Sequence, residues 1–317
     1  MSTSPNPLPS AVPRILAPPI DSESPIHGQE IVTSRDKPPI SKPGLPKPTL
    51  RLHINNVRHP AVLSFLSLVP DLASTLETAL AAIIQYLYTP PSPSSTKKHP
   101  TPSFTPSIPP TRSVTVLLRD IDGVAYTTGT DLDDDHKEIH LSLSYIATST
   151  AKHPRPAAEA EITGVLTHEL VHCYQHTSPR GAASESDSDS DPAPRPPGGL
   201  IEGIANFVRL RAGLEPPHWK RPASAKERPD KWDQGYQHTA YFLAWLEDVR
   251  VGKGAVGMLN DRLLRVGYVG EDAESDKQGF WKGLFGKSIA ELWEEYGEYL
   301  DRVRNSGNWE DEIVNLE

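Results

Sequence analysis

The sequence predicts an α+β fold, with a small mixed sheet near the N-terminus, one long helix after it and a mainly helical C-terminal part. Three observations carry this expectation. Alternating stretches, LRLHINNV at 50–57, SVTVLL at 113–118 and EIHLSLSYI at 138–146, all lie in the first half of the chain. Residues 156–176 then place Ile162, Val165, Leu166, Leu170 and Val171 on one helical stripe. Beyond Gly198-Gly199, segments 200–212, 237–250, 254–265 and 288–303 keep helical spacing.

Taken in order, residues 1–48 are dense in Pro and Ser and nearly free of aromatics, a composition that cannot bury enough surface to offset the entropy of ordering. They are expected to be a disordered tail. The strand at 50–57 leads into a helical stretch from 61 to 88, interrupted by Pro70. Residues 89–112, rich in Pro, Ser and Thr, read as a disordered surface insertion. The strands at 113–118 and 138–146 are joined through RDIDGVAYTTG. The acidic run Asp131–Asp135 has His136 where a calcium loop needs Gly and Ser142 where it needs Glu, so it reads as a solvated turn. Residues 178–197 contain alternating Ser and acidic residues and read as a second disordered loop, and 305–317 as a C-terminal tail. The folded domain is thus expected over 49–304, with no internal repeat.

Composition excludes several function classes. Asp and Glu number 41 against 32 Lys and Arg, a net charge of −9 that repels nucleic acid and anionic lipid, so neither is expected as a partner. A single cysteine, Cys173, excludes an internal disulfide and is expected to be buried and structural. The first twenty residues lack the basic start and unbroken apolar run of a signal peptide, which favours a cytoplasmic location. The most apolar window, 72–88, is short for a bilayer and contains Glu77; a buried amphipathic helix is expected, and no membrane association. The chain is read as a monomer. It has no G-x-S-x-G, phosphate loop or dinucleotide fingerprint.

The segment His168-Glu169-Leu170-Val171-His172 carries the chemistry. Residues four apart lie on one face of a helix about 6 Å along its axis, so both imidazoles can reach one Zn2+ ion from adjacent turns. Glu169 lies beside the first histidine and off the metal axis, the general-base position of H-E-x-x-H peptidases. A third ligand must come from elsewhere. His176 shares the face but sits about 9 Å along the axis from an ion centred between the pair, with no Gly to turn the chain back. It is expected to be a cation near the helix C-terminus. Glu202, in the next helical segment, is the better candidate, and Asn206 four residues on can orient a ligating histidine.

The strings GVLTHELVHCYQ, GLIEGIANFVRLRAGL and KWDQGYQHTAYFLAWLE, in this order, resemble the basic secretory protein family of plants and bacteria, a group of zinc peptidases. DIDGVAYTTG and EIHLSLSYI are similar to its strand region, so the likeness spans about 50 to 303. The resemblance implies a zincin-like metallopeptidase fold of the gluzincin type, with His168, His172 and Glu202 on the metal, Glu169 as base and Asn206 where an acidic residue is usual. An extracellular location would follow from the family name, but the acidic charge departs from it.

The expected activity is zinc-dependent hydrolysis of peptides or proteins. The strand at 138–146 is expected to be the edge that holds an extended substrate. Tyr236 and His238 are candidates for donating to the oxyanion formed at the scissile carbonyl. The alternatives are a zinc hydrolase of non-peptide substrates and a zincin-fold binding or defence-related protein of weak or no activity. The intact set of His168, Glu169, His172 and Glu202 favours the peptidase.

Overall fold

The computed structural model describes residues 45–91, 102–179, 195–270 and 279–306. The expectations for 1–44, 92–101, 180–194 and 307–317 lie outside the described residues.

Strand β1 (Thr49–Ile54) begins where the proline-dense stretch gives way to alternation, and it pairs in parallel with β2 (Ser113–Arg119), Leu50 beside Val114 and Leu52 beside Val116. A parallel pair needs a long crossover. Two helices provide much of it, α1 (Pro60–Leu68) and α2 (Leu72–Leu87), bent by 58° at the break containing Pro70. His59 and Asp71 cap their starts by accepting from the backbone of Ala61 and Ser74. The amphipathic helix expected at 72–88 is present, burying Leu76, Leu80, Ile83 and Leu87. Among the described residues no single helix is long and apolar enough to cross a membrane, although the bent pair passes by length and composition.

The sheet departs from expectation at two places. GVAYTTG is no mere connector: β3 (Ala125–Thr130) is a strand, antiparallel to β4 (Asp133–Ser142), which runs parallel to β2. The order is β1-β2-β4-β3, so β4 is interior and β3 forms one edge, with β1 at the other. The strand expected at 138–146 also starts earlier and ends at Ser142. Ser142 caps helix α3 (Leu143–Lys152), its Oγ accepting the Tyr145 N–H at 3.2 Å. Leu143 and Ile146, both fully buried, fit helical i, i+3 spacing as well as a core-facing run. Only the first part of the acidic run is a turn, with Leu132 fully exposed; Asp133 starts β4 and pairs with Arg112.

The buried face of the sheet presents Val114, Val116, Leu118, Ile139 and Leu141. Helix α4 (Arg155–His172) packs on β3 and β4 and on α2 and α3. It ends four residues before the expected 176, and partners from elsewhere take up the carbonyls just past its end. Thr111 Oγ1 donates to Cys173 O at 2.9 Å, and the Tyr88 hydroxyl donates to Tyr174 O. Residues 102–112, expected within a disordered insertion, are therefore irregular but packed. Ser107 O accepts from His176 Nε2, Thr105 O accepts from Arg265, and Phe104 lies against Gly257.

The C-terminal half is helical, as expected. It comprises α5 (Gly198–Arg211), α6 (Tyr236–Trp245) with a π-helical continuation Leu246–Arg250, α7 (Ala255–Arg265), α8 (Phe280–Phe285) and α9 (Ile289–Ser306). Helix α8 was not expected, since six residues are too few to display a helical period. Gly199 and Gly203 lie on one face of α5, where an added Cβ would overlap the Asp233 carbonyl and the Thr239 side chain. That close approach seats α5 against the start of α6 while α5 also packs on α4.

Candidate metal centre

Helix α4 brings His168 and His172 one above the other, with ring planes at 84° and Nε2 atoms 3.1 Å apart. From α5, Glu202 reaches the same point: Oε2 lies 3.1 Å from His168 Nε2 and Oε1 lies 3.7 Å from His172 Nε2. The three side chains form a group whose ligand atoms all lie within 4.8 Å of one another. Ligands bound at about 2.1 Å to one tetrahedral ion stand about 3.4 Å apart. The observed separations bracket that value, so the residues fit a metal ion.

The remaining imidazole nitrogens are oriented by amides. His168 Nδ1 lies 3.0 Å from Asn206 Oδ1, which can only accept, so Nδ1 carries a proton and Nε2 is the nitrogen turned to Glu202. Gln175 Nε2 lies 3.1 Å from His172 Nδ1, while Gln175 Oε1 is buried without a hydrogen-bond partner. A half-turn of that amide places Oε1 on the Nδ1 proton and frees His172 Nε2 in the same way. Burial first, and then the charge of His168, push His172 down to about 4, against the attraction of Glu202. Burial acts to raise the Glu202 carboxyl, but the hydrogen bond and charge of His168, together with His172, hold it below its ordinary value. A carboxylate beside two imidazoles is a donor set suited to a divalent cation.

Glu169 stands next to His168 but outside the ligand group. Thr127 of β3 holds it: the hydroxyl is 2.7 Å from Glu169 Oε2 and 2.9 Å from its backbone oxygen, and it donates its one proton to either. Burial raises the Glu169 carboxyl, an effect opposed by His168 and Thr127 and reinforced by Glu202. A carboxylate with elevated proton affinity, held beside a metal-binding group, can take and return a proton.

These groups open on a cleft of about 710 Å³, within the usual range for ligand pockets. One side is β3, from Ala125 to Thr127; the opposite side includes Glu202, Asn206 and Arg209 of α5.

With this geometry in place, comparison with known families gives a clear result. A family model described as "Peptidase of plants and bacteria" matches residues 47–296. The chain belongs to this family. The match agrees with the resemblance to basic secretory proteins and spans every residue of the metal centre. No curated protein and no solved structure matches the chain.

Within this peptidase family member, the structure brings His168, His172, Glu202, Glu169 and Asn206 together. Tyr236 lines the cleft, 63% exposed and at a positive φ of 47° just after Gly235. His238 does not line it; its Nδ1 is buried without a hydrogen-bond partner and burial lowers its proton affinity. His176 is not in the last turn of the helix: it lies beyond α4, buried, its backbone N–H on Asn260 Oδ1 and Nε2 donating to Ser107 O. Cys173 is buried as expected, with burial pushing its thiol up.

Sequence reading missed Thr127 and Gln175. The β-branched and aromatic residues of AYTTGT were a strand signal for Thr127. Gln175 had none, since it touches His172 only after α4 has ended.

Proposed function

We propose that the chain is a zinc-dependent peptidase of zincin-like fold. The observation that carries this reading is the convergence of two Nε2 atoms and a carboxylate at 3.1, 3.1 and 3.7 Å, with a second, non-ligating carboxylate on the adjacent residue. Membership of a peptidase family points to peptide or protein substrates.

His168, His172 and Glu202 would hold the ion, which when bound supplies Lewis acidity towards a water molecule and the scissile carbonyl. Glu169 accepts a proton from the attacking water at Oε1 or Oε2 as the new C–O bond forms. It then delivers that proton to the leaving amine as the C–N bond breaks, so it ends as it began. Thr127 keeps the carboxylate aimed during both transfers. Asn206 and Gln175 fix the imidazole tautomers. Tyr236, at the rim, is placed to donate to the oxyanion once a substrate draws its side chain inward.

An extended peptide would add to the outer edge of β3, the role that sequence reading gave to 138–146. Backbone hydrogen bonds there orient the chain with little side-chain preference.

The test is hydrolysis of a peptide library by the purified full chain, before and after chelation, with zinc added back. The reading expects cleavage that chelation abolishes and zinc restores. Cleavage that persists without metal, or turnover of ester or phosphate substrates with no cleavage of any peptide, contradicts it.

A further inference from the structure

Past the metal centre the cleft continues to a second cluster, formed by Tyr145, Glu161, Val165, Arg209 and Trp219. Arg209 lies two turns along α5 from Glu202, on the same face, and its side chain is 7% exposed. A cation so buried needs partners. Nη2 donates to Glu161 Oε2 at 3.0 Å and Nε donates to Leu214 O at 2.8 Å, while the Trp219 ring centroid lies 5.7 Å from Cζ. Glu161 is held in turn, its Oε1 accepting from the Tyr145 hydroxyl at 2.7 Å.

Gly164 on α4 makes room for this arrangement. A Cβ there would stand 2.6 Å from Nε, 2.7 Å from Nη2 and 2.8 Å from Cζ, so these three atoms face α4. Nη1 lies on the edge turned away from Gly164 and has no hydrogen-bond partner among the described residues. Arg209 is also the only lysine or arginine among the described residues lining the cleft. Its fork is thus locked on one edge and open on the other. A guanidinium edge pairs most strongly with a carboxylate, because charge-assisted hydrogen bonds are about twice as strong as neutral ones.

We propose that Arg209 determines substrate specificity by binding a carboxylate of the substrate through Nη1, with Trp219 covering the adjoining apolar part. The carboxylate comes from an Asp or Glu side chain or from the C-terminus of the peptide. This rests on the peptidase reading of the cleft. Arg209 touches substrate away from the bond that breaks.

The test measures binding of two peptide pairs by calorimetry to the zinc-loaded, full-length Glu169→Gln protein, which holds peptides uncleaved. One pair differs as Glu against Gln, the other as free acid against amide. At least one pair should favour the acid by about tenfold, and the pair that does so identifies the source. In Glu161→Gln/Arg209→Met, which removes both charges together, the preference should fall to within about twofold. Thermal melting checks that this variant folds; if it does not, Arg209→Lys, which keeps a cation for Glu161, should lower the preference several-fold. Equal binding of acid and neutral peptides, or a preference that survives in the folded variants, overturns the proposal and leaves the peptidase reading intact. Failure of all four peptides to bind overturns the peptidase reading. N-acetylglutamate against N-acetylglutamine on the same protein then judges the carboxylate site by itself: tighter binding of the glutamate supports it, equal binding removes it.

Discussion

At the scale of single residues, the two glutamates of the candidate centre differ in their neighbours. Glu202 faces two imidazoles, whereas Glu169 faces the Thr127 hydroxyl. Glu202→Ala leaves only two ligands and should lose zinc on dialysis, while His176→Ala should keep it and lose about 1–3 kcal/mol of stability, since the Ser107 carbonyl loses its donor. Metal analysis and urea melts of both variants check this. Asn206→Ala should weaken metal affinity by about 10–100-fold through loss of the His168 contact, read by competition with a chromophoric chelator. Thr127→Val removes the hydroxyl at nearly constant shape; kcat should fall by about tenfold or more with KM and zinc content little changed. The grouping of His168 and His172 was legible in the sequence because i, i+4 spacing on a helix fixes their direction, and that of Glu202 because it lies on a second helix able to pack on the first. Thr127 and Gln175 were not, since their contacts depend on where β3 and the end of α4 come to rest.

At the scale of elements, the helix bearing His168 and His172 is fixed at its C-terminal end. Thr111 and Tyr88 hold the two carbonyls just past it, and the glycine face of α5 lets the helix bearing Glu202 seat closely on α6. Gly203→Val should push α5 outward, costing about 1–3 kcal/mol by overpacking and lowering zinc affinity as well. Thermal melting with and without zinc should show both effects; a variant as stable as the parent, with the same zinc-dependent gain, would contradict this account of the packing. Helices with long apolar stripes were readable. The strand ending at Ser142 was not, because Leu141 and Leu143 alternate while Leu143 and Ile146 also fit a helix, and the cap on Tyr145 decides between them. Residues 102–112 look like a loop by composition, and their packing comes from hydrogen bonds that leave no periodicity.

At the scale of the whole molecule, the edge strand, the metal helix and α5 enclose one cleft, and its metal-free form carries a built-in acid sensitivity. In the fold His172 takes up a proton only at about 4, against 6.5 as its ordinary value. Between these values the unfolded chain binds more protons, so stability is lost as pH falls from 6.5 towards 4, and this group adds nothing further below. Glu202, held below its ordinary value, adds loss in the same direction at the acid end. Glu169, raised by burial, acts the other way, so His172 is read by difference: between about pH 7 and about pH 5 the urea midpoint of metal-free parent should fall further than that of His172→Gln. The central claim, that Glu169 works on a proton beside a metal held by other residues, is tested most directly by measuring zinc content and peptide hydrolysis of Glu169→Gln beside the parent. The account predicts one zinc per chain in both proteins and turnover in the parent alone. Loss of zinc from the variant, or full turnover by it, would contradict that division of roles.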